Sequence, residues 1–324
     1  MSSVRQFLDR HFLHFNAREL VEAARSFETH VQKGGKMLVS LAGAMSTSQI
    51  GRTLAPLIRQ DMVHAISCTG ANLEEDVFAL LSIDDYERIP HWRGLTAQDE
   101  RALFERGMNR VTDVCIPETV MRELETRLVR CWAAATEAGL RRTPAEFLYE
   151  VLDDPSLKTH FQLPPEESWV LAAKEKGIPV YTPGWEDSTT GNLLTAAVMR
   201  DAGPAHACVQ SGTEQFEHLM GWYVDVTSGR GQGVGFFQIG GGIAGDFAIC
   251  AVPCLIQDLH RKDVPFWGYF AQISDAVTSY GGYSGAVPNE KITWGKLDVG
   301  TPKFMIQSDA TIVAPLIFAY LSGE

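Results

Sequence analysis

The chain lacks any run of about 18 apolar residues, so the sequence predicts no membrane-spanning helix. Its first 36 residues mix charges throughout and carry no apolar signal-peptide core. Cysteine pairs are missing too. Cys68, Cys115, Cys131, Cys208, Cys250 and Cys254 form no Cys-x-x-Cys, which predicts reduced thiols and a cytoplasmic location rather than a disulfide frame. The histidines form no His-Glu-x-x-His pattern, so no metal is expected. Basic charge is scarce: 28 Lys and Arg against 40 Asp and Glu leave a net charge of -12. That is the wrong sign for a general nucleic-acid binder and the right sign for a protein whose ligands are cations.

What is present is an alternation of helix-like and strand-like runs, predicting an α/β protein with a mostly parallel, Rossmann-like sheet and helices on both faces. Arg18–Gln32 is amphipathic and stops at Gly34-Gly35. Two strands are expected at 37–42 and 63–68, with a helix at 49–60 between them. A turn at 69–72 precedes a helix whose first turn would hold Glu74, Glu75 and Asp76, acids that a helix dipole favours there. A single strand is expected over 110–117, followed by helices at 118–139, 143–157 and 169–176 and a strand at 178–182. Further strands are expected at 234–239 and 266–273, with a helix at 246–261 between them. With no internal repeat or linker, residues 1–324 read as one domain with a short helical N-terminal segment, about 1–35.

Two segments could carry chemistry. Gly240-Gly-Gly242-Ile-Ala-Gly245 is a literal G-x-G-x-x-G after an apolar strand and before a helix, where backbone amides can approach a pyrophosphate. The next strand ends at Ser274-Asp275, an acid placed to bond a ribose. Asp246 stands at the predicted helix start, either as a first-turn acid or as a carboxylate facing a cationic substrate. Downstream, a glycine- and aromatic-rich loop at 281–288 leads to Glu290, Trp294 and Lys296. A carboxylate and an aromatic face suit an alkylammonium, and a lysine beside them can act as an amine nucleophile. A lone surface lysine would carry no such meaning; its neighbours do.

Asn289-Glu-Lys-Ile-Thr-Trp-Gly-Lys296 resembles the active-site segment of deoxyhypusine synthases, in which Glu is followed after three residues by Trp-Gly-Lys. The resemblance continues in register through Ser308–Leu316, Thr69–Asp76, Gly107–Val111, Ile178–Pro183 and Gly240–Gly242, and spans about Phe15 to the C-terminus. It implies an NAD-dependent enzyme of Rossmann-like fold, tetrameric, with sites at dimer interfaces. Such an enzyme oxidises spermidine or a related polyamine, holds an aminobutyl unit as an imine on the lysine matching Lys296, and passes it to an acceptor amine. The acceptor is a translation-factor lysine in deoxyhypusine synthases and putrescine in the related homospermidine synthases.

By the same resemblance Lys296 is the nucleophile, and Glu290 and Trp294 line the amine pocket. Glu74, Glu75, Asp187, Gly240, Gly242, Asp309 and Ala310 match NAD-binding positions; Ser48, Thr69, Gly70, Asp275 and Ala276 complete the expected cofactor set. Four polyamine positions depart from the pattern. Asp246 stands where the family carries a histidine base, Asn192 replaces a carboxylate, and Tyr280 and Tyr283 replace two aspartates. The pocket loses three carboxylates and gains one, which points to a smaller or less cationic amine, with Asp246 taking the base's role or pairing an ammonium. The alternative is a non-catalytic NAD-binding oligomer that keeps the fold and has lost turnover.

Overall fold

The computed structural model of the protein describes residues 3–229 and 231–323. Its strands are β1 (Lys36–Leu41), β2 (Ala65–Cys68), β3 (Glu87–Arg88), β4 (Met108–Val111), β5 (Val114–Pro117), β6 (Val180–Tyr181), β7 (Val234–Ile239), β8 (Tyr269–Ile273) and β9 (Lys303–Ile306). Six of them form a parallel sheet in the order β6-β2-β1-β7-β8-β9. The other three make a small antiparallel sheet, β3-β5-β4. The strand order reverses direction between β1 and β7. In an open parallel sheet that reversal leaves a crevice beyond the C-terminal strand ends, where a ligand can sit between diverging connections.

Helices cover both faces, so strand residues of both parities are buried and the strands read as apolar runs. Met37, Val39, Phe237, Ile239, Tyr269 and Ala271 enter one core, with the helices Phe15–Gln32, Gly51–Arg59 and Ala310–Ser322. Leu38, Ala65, Phe236 and Phe270 enter the other, with helices Gly212–Thr227 and Gly242–Ile249. On this second face the apolar pattern breaks near the C-terminal strand ends. Ser67, Ser40, Gln238 and Gln272 lie side by side in register across β2, β1, β7 and β8, all buried. Among the described residues no helix is long and apolar enough to cross a membrane.

Several local expectations change. The helix after β2 begins at Gly70, with Thr69 accepting the Asn72 amide, so Glu74–Asp76 lie beyond its first turn. Residues 110–117 are the end of a hairpin, β4–β5, not one strand. The helix after β7 begins at Gly242, which places Asp246 in its second turn rather than at a cap. The helix Gly212–Thr227, unmarked by strong apolar periodicity, is set by a Ser211/Glu214 capping box and a narrow stripe of Gln215, Leu219 and Tyr223.

Candidate active site

Lys296 leaves the short helix Glu290–Thr293 through Gly295, whose left-handed φ of +67° favours glycine. Lys296 N–H donates to the Lys291 carbonyl at 3.0 Å, and its carbonyl accepts from Trp267 N–H at 3.3 Å. The backbone is thereby pinned just ahead of the start of β8, and the side chain runs inward. Its Nζ donates to Asp246 Oδ1 at 2.9 Å and lies 5.2 Å from the Tyr283 ring centroid and 6.0 Å from that of Trp294. The Lys296 side chain is 8% exposed, whereas that of Asp246 is 49% exposed. Asp246 therefore links a buried amine to solvent.

These residues line a cleft of about 420 Å³ on the second face of the sheet, with Glu290 at its rim. Tyr283 reaches inward, donating its hydroxyl to Gln238 Oε1 at 3.0 Å; burial, with Asp246 nearby, pushes its phenol well up. Cys250, one turn after Asp246, brings Sγ to 3.6 Å from Oδ1; burial raises its thiol while Lys296 opposes the shift. Lys291 also lines the cleft. It is 2% exposed, with Nζ donating to the Ala286 carbonyl at 3.3 Å and lying 4.9 Å and 5.1 Å from the Phe270 and Tyr283 ring centroids. Burial first, then the neighbouring Lys296, lowers its amine to about 8.

Asn192 does not join this cleft. It lines a separate one of about 390 Å³ with Glu74, Glu75 and Asn109. Tyr280 also stands apart, 84% exposed. The Glu-Glu-Asp run of helix Gly70–Ser82 acts on its neighbours instead of on its own N-terminus. Glu74 accepts the Thr189 and Thr190 amides at 2.9 Å and 2.7 Å, and Asp76 accepts the Trp169 and Val170 amides and the Ser168 hydroxyl, so each caps a neighbouring helix. Glu75 accepts the Thr47 hydroxyl, and burial lifts its carboxyl to about 7.

The parallel topology gathers the remaining cofactor candidates beyond the C-terminal strand ends. Ser48 follows β1, Thr69 and Gly70 follow β2, and Asp187 follows β6. Gly240 and Gly242 follow β7, Asp275 and Ala276 follow β8, and Asp309 and Ala310 follow β9. Some of them already serve the fold. Thr69 caps its helix and donates to the Gly43 carbonyl, Gly70 packs on Ser188, and Asp309 caps the last helix. Gly240 and Gly242 have φ of +75° and +57°, and an added Cβ on Gly240 would sit 2.9 Å from that of Ala42. No side chain caps the helix that starts at Gly242. The helix begins just beyond the C-terminal end of β7, beside the crevice between β1 and β7, and its uncapped first amides are a donor set that fits the pyrophosphate of a dinucleotide such as NAD. Among the described residues, no group of three or more His, Cys, Asp or Glu is placed to hold a metal ion.

A family model described as deoxyhypusine synthase matches residues 9–321. The chain belongs to the deoxyhypusine synthase family. Curated relatives include a "Deoxyhypusine synthase-like protein" of Cyanothece sp., 28% identical over 99% of this chain and 80% of its own length. Another is "Probable deoxyhypusine synthase 1" of Archaeoglobus fulgidus, 27% identical over 95% and 89%. A crystal structure of an Entamoeba histolytica protein provisionally assigned as a deoxyhypusine synthase superposes with a TM-score of 0.56. It covers 94% of this chain and 87% of its own, at 12% identity, and this likeness concerns the fold. Membership of a transferase family fits the parallel sheet and the Trp-Gly-Lys segment.

Two residues that line the cleft, Lys291 and Cys250, and one that holds Tyr283 from behind it, Gln238, escaped the sequence reading. Gln238 was signalled by a lone polar residue in an otherwise apolar strand. Cys250 could be read only once Asp246 was known to lie on the same helix face. Nothing local marked Lys291, since a lysine in a polar tetrapeptide is ordinarily a solvated charge.

Proposed function

We propose that this member of the deoxyhypusine synthase family is an NAD-dependent transferase that carries an aminobutyl or related alkylamine group as an imine on Lys296. The observation that carries the reading is the Lys296 amine, buried at a cleft floor, ion-paired with Asp246 and facing Tyr283 and Trp294. Glu290, at the rim, offers a carboxylate to an ammonium of the donor. The donor is spermidine or a related amine, and the acceptor is a protein lysine, such as that of a translation factor, or a diamine such as putrescine. NAD, when bound, would accept a hydride from the donor's C–N carbon and return it to the product.

Gly240, Gly242 and the free amides of the following helix would hold the cofactor's phosphates, while the other strand-end residues, from Ser48 to Ala310, form the rim of that crevice. Asp246 receives the proton that Lys296 must lose before its lone pair can attack. Attack of that amine on the oxidised donor's C=N carbon forms the new C–N bond; loss of the original amine leaves the imine on Lys296. The acceptor amine then displaces Lys296 by the same exchange, and the displaced lysine recovers its proton. Tyr283 and the loop 278–286 wall the cleft, limiting hydrolysis of the imine.

A homotetramer in the cytoplasm is part of this reading. Assembly with sites at dimer interfaces would let the Asn192 cleft and the Lys296 cleft of different protomers complete one another.

The test is intact-protein mass spectrometry after incubation with NAD and each of spermidine, putrescine, homospermidine and agmatine, followed by borohydride. An adduct absent from Lys296→Ala is the expected result, and its mass names the carried group. The Asp246–Lys296 pair also favours a second reading, because an amine held as its ammonium is no nucleophile: a non-catalytic NAD-binding oligomer. Bound NAD with no adduct from any amine would establish that reading in place of the first.

A further inference from the structure

The charges that line the Lys296 cleft balance. Asp246 and Glu290 are acids, and Lys291 and Lys296 are bases. Asp246 is already engaged by Lys296 at 2.9 Å, which leaves Glu290 to meet an incoming ammonium. Lys291 has no carboxylate within ion-pair distance among the described residues; its Nζ is held by one carbonyl and two aromatic rings. Tyr283 presents its ring to both amines, 5.1 Å from Lys291 Nζ and 5.2 Å from Lys296 Nζ. The ring quadrupole that would attract a substrate ammonium is therefore occupied by two resident cations. At 2% exposure Lys291 cannot swing out to solvent, and its charge acts on the cleft through a low-dielectric wall.

We propose that Lys291 is a specificity-determining residue: a built-in cation that fills one ammonium position of the cleft, so that the donor brings only a single cationic end into it. This deepens the amine-transfer reading and rests on it. A second ammonium entering beside the first would meet Lys291 with no free carboxylate to offset it. A donor with one amino end and a neutral or solvent-exposed remainder meets Glu290 and the Trp294 face instead. Lys291 acts by its charge and by bracing the loop at Ala286; it is not a catalytic residue.

The test measures equilibrium binding to the NAD-saturated protein by calorimetry at low salt. The probes are 1-butylamine, putrescine and spermidine, which carry one, two and three charges at neutral pH. In the wild-type protein affinity stays level or falls along this series. In Lys291→Met spermidine binding tightens about tenfold or more, while butylamine binding stays within about twofold. Lys291→Gln moves the ratio in the same direction, and thermal unfolding verifies that both variants fold. Loss of the loop brace alone would weaken all three amines together, so an unchanged spermidine-to-butylamine ratio in both variants overturns the proposal.

Borohydride trapping on the same samples separates the two ideas. A shifted ratio without any adduct removes the transfer reading and keeps the charge selectivity. An adduct with an unshifted ratio does the reverse. Failure of every amine to bind any variant overturns both.

Discussion

The two clefts differ in charge and are alike in construction: acids outnumber bases around the Asn192 cleft, whereas acids and bases balance around the Lys296 cleft. Each holds a buried ionisable group that lacks an ion-pair partner among the described residues: Glu75 in the Asn192 cleft and Lys291 in the Lys296 cleft. Burial pushes Glu75 up to about 7 and Lys291 down to about 8. In both cases the charged form is disfavoured mainly by desolvation, against the Thr47 hydrogen bond at Glu75 and against the Glu290 and Asp246 charges at Lys291. Neighbouring groups in each cleft have partners: Glu74 accepts two helix amides, which only partly offset its burial, and Lys296 pairs with Asp246.

The comparison breaks most sharply at Lys296. Replacing it with Ala should lower borohydride-trapped adduct by at least about a thousandfold, since the covalent link has no other anchor, while leaving Glu75's titration unchanged. Turnover by stopped-flow NADH absorbance provides the readout. A trapped adduct surviving in Lys296→Ala would place the nucleophile elsewhere, with Lys291 the first candidate.

Next in size are the two pH dependences, which run in opposite directions. Unfolded Glu75 releases its proton near the ordinary 4.5 and folded Glu75 only near 7, so its contribution lowers stability as pH rises across that window. Unfolded Lys291 keeps its proton to about 10.5 and folded Lys291 only to about 8, so its contribution raises stability as pH climbs between those values. Each is worth at most about 3 kcal/mol. Urea unfolding against pH should lose the first slope in Glu75→Gln and the second in Lys291→Met. Retention of either slope in its variant would assign that titration to another group.

A smaller effect separates Asp246 from Lys296. Asp246→Ala should slow turnover about 100-fold by removing the proton acceptor, with folding intact because the carboxylate is half exposed. Unchanged turnover would remove Asp246 from the chemistry. The smallest is Trp294→Ala. With the ring 63% exposed and 6.0 Å from Lys296 Nζ, amine affinity should weaken about three- to fivefold, measured by the same calorimetry.

Much of this architecture was legible in the chain. The apolar runs at 37–42 and 234–239 are strands because they are buried on both faces of the sheet, with Ser40 and Gln238 as the polar residues among them. The glycines at 240–242 mark the switch between strand and helix because two of them take positive φ. Where reading along the chain failed, the reason was a partner remote in sequence. The Glu-Glu-Asp run looks like first-turn acids of its own helix, but Glu74 and Asp76 are matched to amides more than 90 positions away. Asn192 and Lys296 look like members of one amine site, yet within this chain they face different clefts.

By itself the sequence determined the family, the alternation of strands and helices, and the Glu290, Trp294 and Lys296 cluster. Those signals are local: a burial period, a glycine conformation and a segment eight residues long. Only the tertiary structure decided which carboxylate meets the Lys296 amine, that Lys291 is buried without a counter-ion among the described residues, and that Tyr283 stands against both. Distance and desolvation set those relations, and neither is defined until the helix after β7 and the loop before β9 are packed on the same face of the sheet.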